Sequence, residues 1–350
     1  MNTQILKINP QNPEKDKIEQ AAQVWRDGGT VAFPTETVYG LGANALNEAA
    51  VKKIFEAKGR PADNPLIVHI SDFEEVDRLV ENIPAGTKHL MSSFWPGPLT
   101  IIMKKSNIIP DIITAGLDTV AIRLPSHPIA RSLIKVSGIP IAAPSANTSG
   151  KPSPTIAQHV IDDLFGKVDI IIDGGPAEVG LESTVIDVTG EIPVLLRPGG
   201  VTYEQLRSVL GEVQVDPAVL SALSADVVPR SPGMKYTHYS PNAEVVIVEG
   251  EKEKVIHAIN RLVEENRRKG LKVGVMAVDE TASLYHADCV LAVGSEGQPQ
   301  TIAANLFYKL REFDQMGVDI IFAQSVKEQG IGMAIRNRLN KAAGYNIIKV

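Results

Sequence analysis

A chain of 350 residues is about two domains' worth at roughly 150 residues each. With 44% hydrophobic and 22% charged residues and a net charge of −6, it has the make-up of a globular protein, which excludes long disorder and collagen-like repeats and argues against a module built to grip a phosphate backbone. No apolar run reaches the ~18 residues that span a bilayer, the first residues lack the apolar core of a signal peptide, and the single cysteine, Cys289, can form neither an internal disulfide nor a cysteine cluster for zinc. The expectation is a cytoplasmic protein. From Ala243 onward 14 basic and 14 acidic residues cancel, so the whole excess of acid lies in the first 242 residues.

In chain order, the first 210 residues read as alternating strands and helices. Residues 13–27 suit a helix, with Pro13 in the first turn and Gly28-Gly29 after its end. Thr30 to Pro34 is a short β-rich run. Asn47 is placed to cap a helix through Ala57 that Gly59 and Pro61 stop. Further strands are expected at 66–70, 99–103, 120–124, 139–143, 168–172 and 184–188, and helices at 85–94, 128–136, 156–164 and 203–210. Several of these strands are nearly continuous apolar runs, as in a sheet covered on both faces. From Glu244 a second pattern begins: EVVIV, KVGVMAV, CVLAV and DIIFAQ alternate with helical segments at 251–269, 301–316 and 333–343. That spacing favours a smaller, parallel three-layer α/β domain.

The organisation read from this is a mixed-sheet α/β domain over residues 1–212, a connector over 213–243 and a parallel-sheet, Rossmann-like α/β domain over 244–350. The connector ends in PRSPGMKYTHYSP, where prolines stiffen the chain around Arg230, Lys235, Tyr236, His238 and Tyr239. It reads equally as an inter-domain strap or as a lid over a neighbouring site.

Two glycine patterns are rejected. Gly40-Leu41-Gly42 lacks the strand–turn–helix context of a dinucleotide loop. Gly175 and Gly180 have P-loop spacing, but Leu181-Glu182 stand where Lys and Ser/Thr are required. What remains is a set of polar residues at strand ends. PTETVYGLG follows a buried strand, and its small hydroxyls and glycines read as an ordinary turn or as a place where a ligand meets the backbone. Lys58 and Arg60, followed by Pro61 and Asn64, either complement a helix C-terminus or bind an anion such as a triphosphate. PSANTSG and Ser153 supply donors and acceptors without bulk. Arg123 and Arg197 end apolar strands and need a carboxylate or phosphate, internal or bound. Glu182-Ser183-Thr184 enters another strand, and His69 on an apolar strand reads first as a hydrogen-bonded core residue.

PTETVYGLG, KGRP, PSANTSG, ESTV, RPGG and SPGMKYTHYSP, in this order, resemble the threonylcarbamoyl-AMP synthases, the long two-domain members of the YrdC family. The resemblance implies a YrdC-like twisted mixed sheet with a concave, positive cavity, and a reaction in which L-threonine, bicarbonate and ATP give threonylcarbamoyl-AMP and pyrophosphate. It implies magnesium with the nucleotide, and downstream machinery that transfers the threonylcarbamoyl group to tRNA beside the anticodon. Carried over by motif, ATP would meet Lys58, Arg60, Asn64, Thr119, Ser145, Asn147, Ser153 and Arg197, with His238 or Tyr239 closing from the strap, and Lys58 and Arg60 would be catalytic. Threonine would meet Thr37, His69, Arg123, Ser183 and the backbone at Ala143. Two other classes compete: an RNA-binding module, which the acidic balance disfavours, and a carbamoyl transferase with a different acceptor. No membrane association is expected.

Overall fold

The computed structural model describes residues 2–220 and 239–350. These divide into two compact units, residues 2–149 with 153–220 and residues 150–152 with 239–350.

Eleven strands form the sheet of the first unit: β1 (Gln4–Lys7), β2 (Val31–Phe33), β3 (Gly40–Asn44), β4 (Ile67–His69), β5 (Leu99–Lys104), β6 (Thr119–Arg123), β7 (Ile141–Ala142), β8 (Ile170–Asp173), β9 (Thr184–Asp187), β10 (Val194–Arg197) and β11 (Gln214–Val215). Their order across the sheet is β1-β8-β2-β3-β7-β4-β6-β5-β9-β10-β11, with parallel and antiparallel pairs mixed. Helices Lys15–Arg26 and Pro128–Ser137 pack on it and enclose a core of Trp25, Phe33, Leu133 and Ile172. Asn47 caps the helix Glu48–Lys58 by accepting from the backbone of Ala49 and Ala50, and the helix stops at Gly59.

One central strand, β3, was not legible as a strand, because GLGAN has poor β-propensity. Packing makes it one. A Cβ at Gly42 would lie 2.7–2.8 Å from Ile141, Phe33 and Trp25, so only glycine lets that aromatic cluster close over the strand. The Trp25 indole N–H then donates to the Gly42 carbonyl at 2.9 Å. The G-x-G string is therefore sheet interior, as its rejection as a dinucleotide loop requires.

In the second unit β12 (Glu244–Glu249), β13 (Val273–Ala277), β14 (Cys289–Ala292), β15 (Ile320–Gln324) and β16 (Ile347–Lys349) form an all-parallel sheet in the order β14-β13-β15-β12-β16. Helices Lys252–Arg268, Pro299–Met316 and Gly332–Ala342 connect the strands, and Val246, Val263, Val275 and Phe322 belong to its core. Only β16 escaped the sequence reading here. None of the described helices is long and apolar enough to cross a membrane.

Candidate active site

The first unit gathers the polar motifs along one line of the sheet, set by strands β4, β6 and β7. β4 and β6 run parallel with His69 opposite Arg123, and β7 runs antiparallel to β4 with Ile141 opposite His69. The Ala143 N–H donates to the Ile67 carbonyl at 2.9 Å, so the PSANTSG loop leaves β7 in the direction of Pro65 and Asn64. Two groups result, one before the start of β4 around Asn64 and Pro65 and one at its end around His69.

At the first end stand Lys58, Arg60, Asn64, Ser145 and Asn147. Lys58 is only 2% exposed, and its ammonium donates to the carbonyls of Ser145 and Asn147 at 2.5 and 2.6 Å. The Ser149 N–H returns a bond to the Lys58 carbonyl at 2.9 Å. The residues alone left this lysine open between a helix-end role and an anion site, and the resemblance assigned it to ATP; in the structure its ammonium holds two carbonyls of the PSANTSG loop. The Ser145 hydroxyl donates to Asn147 Oδ1 at 2.5 Å. Arg60 donates to the carbonyls of Asn64 and Pro65 at 3.2 and 3.0 Å, which fixes the turn after Pro61. Thr119 begins β6, two residues before the Ala121 that pairs with Ile67, and so lies level with Pro65.

At the other end lie His69, Arg123, Ser183 and Arg197, while Thr37 lies in the turn between β2 and β3, next to the Glu36 that reaches Arg123 and ahead of Gly40, which bridges Ser145 of the first group. Arg123 is 4% exposed, and its Nη2 donates to Glu36 Oε1 at 2.6 Å, while Glu36 Oε2 accepts from the Ser126 N–H at 3.2 Å. Thr37 shares a 2.8 Å hydroxyl bond with Thr35 in the same loop. His69 Nδ1 faces the Ile67 carbonyl at 3.2 Å, which assigns the proton to Nδ1 because a carbonyl only accepts. Burial first, and the Arg123 charge second, push the imidazole down to about 3, so it is neutral at physiological pH. Arg197 donates to the Ser183 carbonyl and hydroxyl at 3.0 and 3.1 Å, and that hydroxyl lies 2.8 Å from Thr100, which pairs with Arg123 across β5 and β6. The RPGG and ESTV motifs meet because a Cβ at Gly199 would fall 2.3–2.5 Å from the backbone of residues 182–184. Arg197, grouped by motif with the nucleotide, is thus bonded to a residue grouped with threonine. Ser153 donates to Glu182.

Each end leaves one buried polar atom without a hydrogen-bond partner among the described residues: Asn64 Oδ1 at the first and Arg123 Nε at the second. Such atoms are costly unless a bound group completes them. His238 lies outside the described residues. Tyr239 is placed in the second unit, buried, with its ring 5.0 Å from Phe307 and 5.6 Å from the Arg338 guanidinium. In this structure that ring serves the core of its own unit.

The family described as telomere recombination matches residues 23–199, and the threonylcarbamoyl-AMP synthase C-terminal domain matches residues 201–344. The chain is 54% identical over 337 residues to the threonylcarbamoyl-AMP synthase of Pyrococcus abyssi, covering 96% of this chain and 97% of that one. It belongs to the threonylcarbamoyl-AMP synthase family. The threonylcarbamoyl-AMP synthase of Bacillus subtilis is 52% identical over 334 residues, covering 95% of this chain and 94% of that one. The solved structure of P. abyssi Sua5 complexed with L-threonine is similar at a TM-score of 0.94 and 53% identity, covering 99% of both chains. As a threonylcarbamoyl-AMP synthase family member, the chain is a nucleotidyl-transferring enzyme, and its mixed-sheet unit and separate parallel-sheet unit are the family's fold.

Two site residues of this synthase family member went unassigned in the sequence. Glu36 is the internal partner that Arg123 requires, and Glu182 is the partner of Ser153. Both carboxylates sit inside motifs the sequence offered, PTETV and ESTV, directly beside assigned residues. An unassigned acid inside a polar motif, together with a strand-end arginine that needs a carboxylate, was the available signal. What hid it was the separation of 87 residues between Glu36 and Arg123.

Proposed function

We propose that the enzyme makes L-threonylcarbamoyl-AMP from L-threonine, bicarbonate and ATP, releasing pyrophosphate, as the supply for threonylcarbamoyladenosine in tRNA. The observation that carries this reading is the pair of incomplete buried groups. One is a cationic donor, Arg123 Nε, and the other is an acceptor, Asn64 Oδ1. They stand at opposite ends of one β4 track, in a chain 53% identical to a protein whose structure is a complex with L-threonine.

In this scheme Arg123, steadied by Glu36, receives the threonine carboxylate, and neutral His69 and Ser183 receive the amino acid's polar groups. The arginine orients the amine and contributes proximity rather than chemistry. The amine takes up bicarbonate with loss of water, giving a carbamate. A carbamate oxygen attacks the α-phosphorus of ATP, the bond to the β-phosphate oxygen breaks, and pyrophosphate leaves with that electron pair. No protein nucleophile is needed. Arg60 supplies positive field for the phosphates, and Lys58 holds the Ser145–Asn147 loop in the shape that meets them. Among the described residues no cluster of three or more His, Cys, Asp or Glu could hold a metal. Magnesium would enter with the triphosphate, as part of the nucleotide substrate.

The test is pyrophosphate release from magnesium-ATP with bicarbonate and L-threonine, with each component omitted in turn. Release that requires both co-substrates supports the reading. Release indifferent to threonine would replace it with carbamoyl transfer to another acceptor. No release, with tight salt-dependent RNA binding, would replace it with an RNA-binding role.

A further inference from the structure

The second unit contains a cavity of about 430 Å³ that the catalytic scheme does not use. Its position follows from strand order. β12 connects through the helix Lys252–Arg268 to β13 on one side, whereas β15 connects through the helix Gly332–Ala342 to β16 on the other. β12 and β15 are neighbours, so their connections depart in opposite directions and the carboxyl ends of the strands part into a crevice. Open parallel sheets bind ligands at such switch points.

The lining carries groups with unused hydrogen-bonding capacity. Gln324, the last residue of β15, is 9% exposed. Its Oε1 accepts from the Val278 N–H at 3.2 Å and the Thr281 hydroxyl at 2.5 Å, which fixes the orientation of the amide. The amide NH₂ is left as a donor, without a partner among the described residues, on a residue that lines the cavity. Lys252 and Lys327 line the same space and make no hydrogen bond or ion pair among the described residues. Lys252 opens the helix Lys252–Arg268, whose N-cap residue Glu251 makes no side-chain cap and pairs instead with Lys254 at 3.1 Å. The first amides of that helix therefore add to the positive field of the two lysines. Nearby Glu249 and Glu328 are drawn to Arg336, at 2.8 and 3.2 Å. Val248, Val278 and Pro299 supply apolar wall, and the Glu296 carboxylate completes the lining.

We propose that this cavity is a second ligand site, and that it takes a nucleoside monophosphate. The phosphate sits between Lys252, Lys327 and the helix start, the base lies against the valine and proline wall with a ring acceptor or carbonyl on the Gln324 amide, and Glu296 accepts from ribose hydroxyls. The volume is of the size that holds small organic ligands, roughly 300–1,000 Å³. An inorganic anion alone would leave the apolar wall and the amide unused.

The test uses the full chain with its valine methyls labelled for NMR, titrated separately with AMP, GMP, CMP, UMP and inorganic phosphate. At least one nucleotide should shift the methyls of Val248 and Val278 saturably, with a Kd below about 1 mM. The exposed double substitution Lys252→Ala/Lys327→Ala should weaken that binding about tenfold or more, the worth of a charge-assisted bond, while threonine-dependent pyrophosphate release at saturating substrates stays unchanged. Gln324→Leu should weaken it as well. The proposal falls if no nucleotide moves these methyls at about 5 mM, if the double variant binds like the parent, or if inorganic phosphate gives the same shifts at the same concentration.

Discussion

Glu36→Gln is the substitution that tests the site most sharply, because it changes one charge and almost no volume. Glu36 and Arg123 side chains are each 5% exposed, so water reaches neither. Glu36 uses both oxygens, one for Arg123 at 2.6 Å and one for the Ser126 N–H at 3.2 Å. Glutamine offers one acceptor, so one of those donors must face an NH₂ group, and the guanidinium is left buried without a counter-charge. Breaking one side of a buried pair costs about 3–5 kcal/mol. Both tryptophans of the chain, Trp25 and Trp95, lie in the first unit, so their fluorescence in urea reports that unit's unfolding alone. With a slope of about 3 kcal/mol per molar urea, the midpoint should fall by about 1–1.7 M. Glu36→Gln/Arg123→Met, which removes both charges, should recover much of the loss. A shift below about 0.3 M, the worth of a solvated surface pair, would refute the claim that Arg123 depends on Glu36 in a dry site.

Arg60→Ala should lower pyrophosphate release at least about tenfold, about 1.4 kcal/mol of transition-state stabilisation, and Lys58→Ala should do the same by releasing the Ser145–Asn147 loop. Arg123→Lys should instead act mainly on threonine, raising its KM at least about tenfold, since a point charge replaces the planar fork; near-parental kinetics in all three would dissolve the site assignment. His69 is neutral in the folded protein down to about pH 3 but takes a proton near 6.5 when unfolded, so its contribution to stability is fully present above 6.5 and is lost as pH falls toward 3. Between pH 6.5 and about 5 that loss amounts to about 2 kcal/mol, and the difference between the parent and His69→Gln urea midpoints at those two pH values isolates it. Gly42→Ala places a methyl 2.7–2.8 Å from Ile141, Phe33 and Trp25 and should cost about 1–3 kcal/mol in the same fluorescence assay, with a parent-like midpoint counting against the close-approach account.

Local chemistry decided a great deal of this protein. The Asn47 cap, the Gly59 stop, the Pro128 start and the apolar runs at β5, β6 and β8 are legible because a residue's own backbone preference and its spacing to near neighbours determine them. The strand–helix alternation after Glu244 likewise required a parallel sheet, since short strands joined by helices can close in few other ways. Family membership was legible for a related reason: the motifs lie where the backbone approaches another segment or carries a strand-end charge, and such places tolerate few residues. Tertiary structure alone decided that GLGAN is a central strand, because the pressure comes from Trp25 and Phe33 and not from the glycines themselves. It also decided that Arg123 answers to Glu36, that Lys58 spends its charge on a loop 87 and 89 residues away, and that Arg197 is bonded to Ser183. In each case a buried charge takes whichever partner chain closure delivers, and that choice is made across the sheet, where no local pattern records it.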